Sequence, residues 1–135
     1  MICLDTNVVI ALIKRRQSTR ERLQAALLQG LIVGVPTVVL FELWYGVWKS
    51  ARPEANIKAL AIFLDMGVER WSFEPDDAAE AGEIRAGLER AGTPIGPYDV
   101  LIAAQARRRN ALLATGNRAE FARVPGLRIE DWTAA

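Results

Sequence analysis

Residues 1–9 read Met1-Ile2-Cys3-Leu4-Asp5-Thr6-Asn7-Val8-Val9, and the fold class follows from them. Ile2, Cys3 and Leu4 form a short apolar run without polar alternation, the pattern of a strand buried on both faces. The run ends at Asp5. Thr6 and Asn7, both cap-forming types, precede Val8, Val9, Ile10, Leu12 and Ile13, an apolar stretch of helical length. A buried strand that delivers a carboxylate just before a helix begins sets it where open α/β sheets receive ligands. The plainer alternative is an N-cap, since Asp accepts hydrogen bonds from the free N–H groups of a first turn.

Working outward, the first helix should end near Lys14-Arg15-Arg16, whose charges suit a helix C-terminus. Ser18 or Thr19 is placed to cap a second helix through Leu28, stopped by Gly30. Leu31–Val35 reads as a second buried strand, and Pro36-Thr37 opens a third helix that runs to Lys49. A helix after Arg52-Pro53 reaches about Met66, and Val68–Phe73 reads as a strand. The stretch opened by Pro75-Asp76-Asp77 is helical to Gly92. Thr93–Pro97 is loop by composition, Tyr98–Arg109 helix, Ala111–Thr115 strand, Gly116-Asn117 turn, and a last strand lies near Leu127–Ile129. Strands alternating with helices predict a single α/β domain over residues 1–135: a small, mainly parallel sheet of four to five strands flanked by helices on both faces.

Composition narrows the chemistry. The chain has 135 residues and a net charge of +1, so charge alone does not announce a polyanion binder. Of its 17 cationic residues 14 are Arg, the side chain suited to bidentate phosphate contacts. The single cysteine, Cys3, gives no disulfide framework, and no leader or apolar run of membrane-spanning length is present, which points to a cytoplasmic protein without a membrane partner. There is no histidine. Ser-His-Asp and Cys-His constellations and His-ligated zinc are thereby excluded, leaving carboxylates, hydroxyls, Arg or a hard metal ion.

Three carboxylates sit in apolar surroundings. Glu42 lies in the middle of Thr37–Lys49, which is apolar nearly all round and so is buried or covered by a partner. Its neighbours four residues away are Val38 and Gly46, so no local ion pair accounts for it; it either looks out through a narrow polar stripe or meets a cation, a metal or a proton. Asp99 follows the rigid Ile95-Gly96-Pro97 and precedes Val100–Ala104, all apolar; first-turn electrostatics is the alternative reading. Asp5, Glu42 and Asp99, delivered by separate core elements, form the oxygen-ligand set that Mg²⁺ or Mn²⁺ requires. By contrast, Asp76, Asp77, Glu80, Glu83 and Glu89 lie among Arg and Ala and read mostly as a solvated face. Arg85 could face a phosphate or form a surface ion pair, and Arg107-Arg108-Arg109 suits its helix dipole, with RNA contact the lesser reading.

Leu4-Asp5-Thr6-Asn7, Phe41–Gly46, Gly92–Ala103 and Thr115–Trp132 together resemble a PIN domain, and specifically the VapC toxins of type II toxin–antitoxin pairs. The resemblance covers Met1 to Trp132. It implies a metal-dependent ribonuclease, using Mg²⁺ or Mn²⁺ to activate water, that blocks translation by cutting structured RNA, often a tRNA. It also implies a VapB-like antitoxin as cognate partner, held in a groove between helices, and a homodimer within a larger complex. Asp5 and Asp99 match the family's metal-binding aspartates, Glu42 its helix glutamate, Thr6 the hydroxyl beside the first acid and Asn7 the amide after it. Asn117 stands where many relatives carry Asp, so either fewer acids suffice or Glu120, three residues on, contributes; Thr115 would line the same edge. A PIN-like module that binds RNA or protein without cutting is the alternative. An aspartyl phosphotransferase would want a second Asp at position 7, which is Asn. Some of Trp44, Tyr45 and Trp48 are expected to be partly exposed in a lone subunit.

Overall fold

The computed structural model describes residues 1–134; residue 135 of the expected domain lies outside them. The elements follow in the order β1 (Ile2–Leu4), α1 (Thr6–Ile13), α2 (Gln17–Leu28), β2 (Val33–Pro36), α3 (Thr37–Lys49), α4 (Pro53–Leu64), β3 (Glu69–Trp71), α5 (Pro75–Arg90), α6 (Pro97–Arg108), β4 (Leu112–Thr115), α7 (Arg118–Phe121) and β5 (Arg128–Asp131). The five strands form one all-parallel sheet in the order β3-β2-β1-β4-β5. Among the described residues no helix is long and apolar enough to cross a membrane.

Ile2, Cys3 and Leu4 are buried on both faces, because β1 is the central strand. In register, Cys3 pairs with Gly34 of β2 and with Leu113 of β4. From β1 the chain steps to β2 and β3 on one side, then crosses to β4 and β5 on the other. Right-handed crossovers in opposite directions put the two helix groups on opposite faces. Accordingly α1, α3 and α4 pack on one another, and α5 packs on α6. The reversal also makes the carboxyl ends of β1 and β4 the topological switch point, where side-by-side strands send their chains apart and leave a crevice.

Several expectations change in detail. Arg16, not Ser18 or Thr19, precedes the first turn of α2; the buried Thr19 hydroxyl instead donates to the Trp132 carbonyl at 2.7 Å. Pro36 ends β2 and the helix starts at Thr37. The turn after β4 contains a short helix, α7, that the apolar pattern does not announce because only Phe121 of its four residues is buried. Asp77 does not belong to a solvated face. Its side chain is wholly buried and accepts Arg108 Nε at 2.6 Å and Arg109 Nη1 at 2.8 Å, with Glu74 N–H at 2.8 Å closing a capping box. Arg107 pairs with Glu80 and Glu83. The basic run at the end of α6 is thus consumed internally, and RNA contact through it is corrected.

Candidate active site

Asp5 is both a cap and a member of the acidic group. It immediately follows β1, its Oδ1 accepts the Thr6 N–H at 2.8 Å, and its Oδ2 accepts the Thr115 hydroxyl at 2.7 Å from the end of β4. Only 4% of Asp5 is exposed. Burial pushes its carboxyl above the usual range, the Thr115 and Thr6 bonds oppose that, and the charges of Glu42 and Glu120 add to it.

Glu42 reaches the same place from α3. Val39, Leu43 and Val47 bury one stripe of that helix, which turns Glu42 toward α1, where its Oε1 accepts the Thr6 hydroxyl at 2.9 Å. It therefore meets the polar start of α1 instead of facing out through a solvent stripe. Asp99 comes from the first turn of α6, half-buried, with its carboxyl pushed up to about 7 by burial first, then by Glu120 and Asp5, and by Glu42. Glu120 comes from α7. Its Oε1 accepts the Gly96 N–H at 2.7 Å and its Oε2 the Asn117 amide at 2.6 Å. The Gly96 bond above all holds the Glu120 carboxyl below its usual range, and Asn117, Asp99 and Arg123 act in the same direction. The two acids are thus pushed in opposite directions, Asp99 away from its charged form and Glu120 toward it.

The amides and hydroxyls brace this group. Asn7 Oδ1 accepts the Gly116 N–H at 3.0 Å, and the Asn117 N–H donates to the Thr115 hydroxyl oxygen at 2.9 Å, so α1 is tied to the turn after β4. Asn117 thus supports Glu120 and does not replace an acid. Gly96 is a contributor to which sequence reasoning assigns no role. A Cβ there would stand 3.4 Å from Asp99 Oδ2 and 3.6 Å from Glu120 Oε1, so a glycine before Pro97 leaves the room in which the two acids meet. Arg85 is the exception among the expected residues. It is exposed on α5 and pairs with Glu89 one turn away at 3.5 Å, so the surface ion pair holds and Arg85 does not join the acids.

The donor chemistry is all hard oxygen, and mutual repulsion among the acids is what a divalent cation relieves. Among the described residues no three acidic side chains stand close enough together to grip one ion. The arrangement suits an ion taking one or two carboxylates and otherwise solvent, the habit of Mg²⁺. Asp5 and Asp99 are the pair that could hold it, with Glu42 beside them.

The sheet order, and carboxylates converging on its switch point without histidine, are those of the PIN-like class. The PIN domain family matches residues 2–127. The chain is 41% identical over 130 residues to the tRNA(fMet)-specific endonuclease VapC of Salmonella typhimurium and 42% identical over 131 residues to that of Shigella flexneri, covering 96% of each chain in both cases. Its fold superposes with a TM-score of 0.92 and 38% identity on a chain of VapBC2 from Rickettsia felis, solved bound to a DNA fragment from their promoter, over 98% of this chain and 99% of that one. The chain belongs to the PIN-domain family and, within it, to the VapC ribonucleases.

Proposed function

We propose that the chain is the toxin of a toxin–antitoxin pair, a Mg²⁺- or Mn²⁺-dependent endoribonuclease that cuts structured RNA of the tRNA class in the cytoplasm and so halts translation. The observation that carries this reading is the convergence of Asp5, Glu42, Asp99 and Glu120 at the switch point. The tRNA class is supported by the close relatives named for tRNA(fMet). Asp5 and Asp99 would hold the ion, with Glu42 beside them. A bound divalent cation supplies charge neutralisation at the scissile phosphate and lowers the pKa of water it binds. Thr6 fixes Glu42, Thr115 fixes Asp5, and Asn117 with Gly96 fixes Glu120, so the acids are oriented before substrate arrives. Burial and the neighbouring acids raise the Asp99 carboxyl to about 7 without an ion, and a bound divalent cation would relieve that repulsion and hold Asp99 in its charged form. Glu120 beside Asp99 keeps the acidic set at four despite Asn117, which favours a cutting enzyme over a PIN-like binding module.

An antitoxin of the VapB type is the partner that the surface supports. A groove of about 410 Å³ runs between α1, α3 and α4, lined by Ile10, Ile13, Leu43, Val47 and Leu60, and reaches Glu42. It suits the apolar face of a short peptide segment, which would end at the acids. Outside the groove α3 presents Trp44, Tyr45 and Trp48, at 38%, 59% and 66% exposure, a surface that dimerisation or further partner contact would cover.

The test is incubation of a tRNA pool with purified protein in Mg²⁺, in Mn²⁺ and in EDTA, beside Asp5→Asn. Discrete products that need metal and vanish in Asp5→Asn are expected. Absence of products from metal-loaded, partner-free wild type would overturn the nuclease reading.

A further inference from the structure

We infer that the outer face of α1 and its C-terminal turn form a second RNA contact, a phosphate-binding groove made by Asn7, Lys14 and Arg16 that holds the substrate backbone a few nucleotides from the acids. This rests on the ribonuclease reading above and adds to it the residues that carry RNA affinity.

The need comes from electrostatics. A polyanion must approach four clustered carboxylates, so unpaired cations near the site are required to offset the repulsion. Most conspicuous arginines are unavailable: Arg107, Arg108 and Arg109 serve Glu80, Glu83 and Asp77, Arg22 pairs with Glu130 and Arg85 with Glu89. The other run of consecutive cations is Lys14-Arg15-Arg16. All three are exposed, and among the described residues none has a carboxylate within 4.0 Å.

The local backbone aims two of them together. Helix α1 ends in a Schellman turn, with the Arg15 N–H donating to the Leu12 carbonyl at 3.0 Å and the Arg16 N–H to the Ala11 carbonyl at 2.9 Å. Arg15 takes the left-handed conformation, φ 59°, which this turn normally gives to glycine. The turn folds Arg16 back over the helix end, and Arg16 and Lys14 then line one groove of about 340 Å³ with Asn7, Ile10 and Ala11. No carboxylate lines it. At its other end Asn7 has its Oδ1 committed to the Gly116 N–H, and its Nδ2 donates to nothing among the described residues. Seven residues of helix separate Asn7 from Lys14, about 10 Å at ~1.5 Å per residue. The groove therefore leads from the edge of the acidic group to a pair of free cations, and a nucleic-acid backbone is the ligand whose repeated charges match that layout.

The experiment compares wild type with K14Q/R16Q and with Arg70→Gln, an equally exposed cation on the far edge strand β3. Binding of a labelled tRNA pool is titrated against salt in EDTA, and cleavage is followed in Mg²⁺. The double variant should bind at least about 5-fold more weakly and show a salt slope shallower by one to two, as expected for two lost phosphate contacts. Its KM should rise with kcat little changed, and Arg70→Gln should match wild type. Equal affinity and slope in wild type and double variant would overturn the groove while leaving the nuclease reading intact. Unchanged RNA binding with loss of inhibition by a co-expressed antitoxin would mark a protein contact and also overturn it. Wild type that neither binds nor cuts RNA would remove the underlying reading with it.

Discussion

Asp5 caps α1 through Oδ1 and takes the Thr115 hydroxyl through Oδ2, while burial and the charges of Glu42 and Glu120 work against its ionised form. Asn at this position keeps the capping oxygen and removes the charge. Asp5→Asn should accordingly lose at least ~100-fold in cleavage while its metal-free melting temperature stays level or rises, measured by RNase assay and calorimetry on one preparation. A fall in melting temperature would make Asp5 a structural cap first. Asp99 gives the pH dependence. Its carboxyl is raised to about 7 in the folded chain, against ~3.9 for an unperturbed Asp. Between those values the native state holds a proton that the unfolded state has released, so this group's contribution to stability declines as pH rises through that window. In EDTA, urea melts should show wild type losing stability from pH 5 to pH 8 relative to Asp99→Asn. A flat difference between the two would show that Asp99 is not held out of its usual range. Asp5, Glu42 and Asp99 were legible because each carboxylate stands in an apolar stretch where burial needs a reason. Gly96 and the Asn7–Gly116 tie were not legible, since backbone N–H donors carry no residue signature and their acceptors lie in distant turns.

At the scale of elements, α6 is clamped at its far end by Asp77, whose buried carboxylate takes Arg108 and Arg109 while Arg109 also lies 5.1 Å over the Trp71 ring. Burial alone would raise the Asp77 carboxyl, but the bonds from Arg109, Arg108 and the Glu74 N–H outweigh it and hold it below its usual range. Removing one partner of such a pair strands the other charges. Asp77→Ala should therefore cost about 3 kcal/mol, read from urea unfolding at pH 7. Glu83→Ala, on the exposed end of the Arg107 pair, should cost under ~1 kcal/mol. A folded pKa that lies below the unfolded one gives stability that is present above the unfolded value and lost as pH falls through the folded one. The gap between wild type and Asp77→Ala should therefore close in acid. Equal costs for the two variants would remove the clamp. The strands β1 and β2 were predictable from short apolar runs, yet the packing of β3 on them was not. Gly34 shows why: a Cβ there would lie 1.9 Å from the Trp71 ring, and nothing local to Val33–Val35 indicates that an indole from β3 covers it. The Asp77 burial escaped for a similar reason. Its partners are 31 and 32 residues away, so the acid looks like any solvated helix residue until α5 and α6 are set side by side.

For the whole molecule, the two faces of α3 divide stability from association. Val39, Leu43 and Val47 enter the core, whereas Phe41, Trp44, Tyr45 and Trp48 stay more than a third exposed. Trp44 stacks on Trp48 with ring centroids 6.4 Å apart, and Phe41 meets Tyr98 of α6 edge-on at 5.5 Å, so the patch is ordered without being covered. Pre-ordered aromatics lose little entropy on contact and are the residues on which binding energy concentrates. The patch joins the apolar groove through α3, and the groove ends at Glu42, so association and the acidic site share one helix but different residues. Trp48→Ala should leave tRNA cleavage within about 2-fold, because Trp48 touches none of the acids. The same change should weaken self-association or antitoxin binding by at least ~10-fold, the effect of a lost ~1.4 kcal/mol at an interface. Sedimentation equilibrium of the free chain, and titration of its tryptophan fluorescence with the partner, read the two possibilities separately. If cleavage falls and association holds, the aromatic face serves the RNA and not a protein.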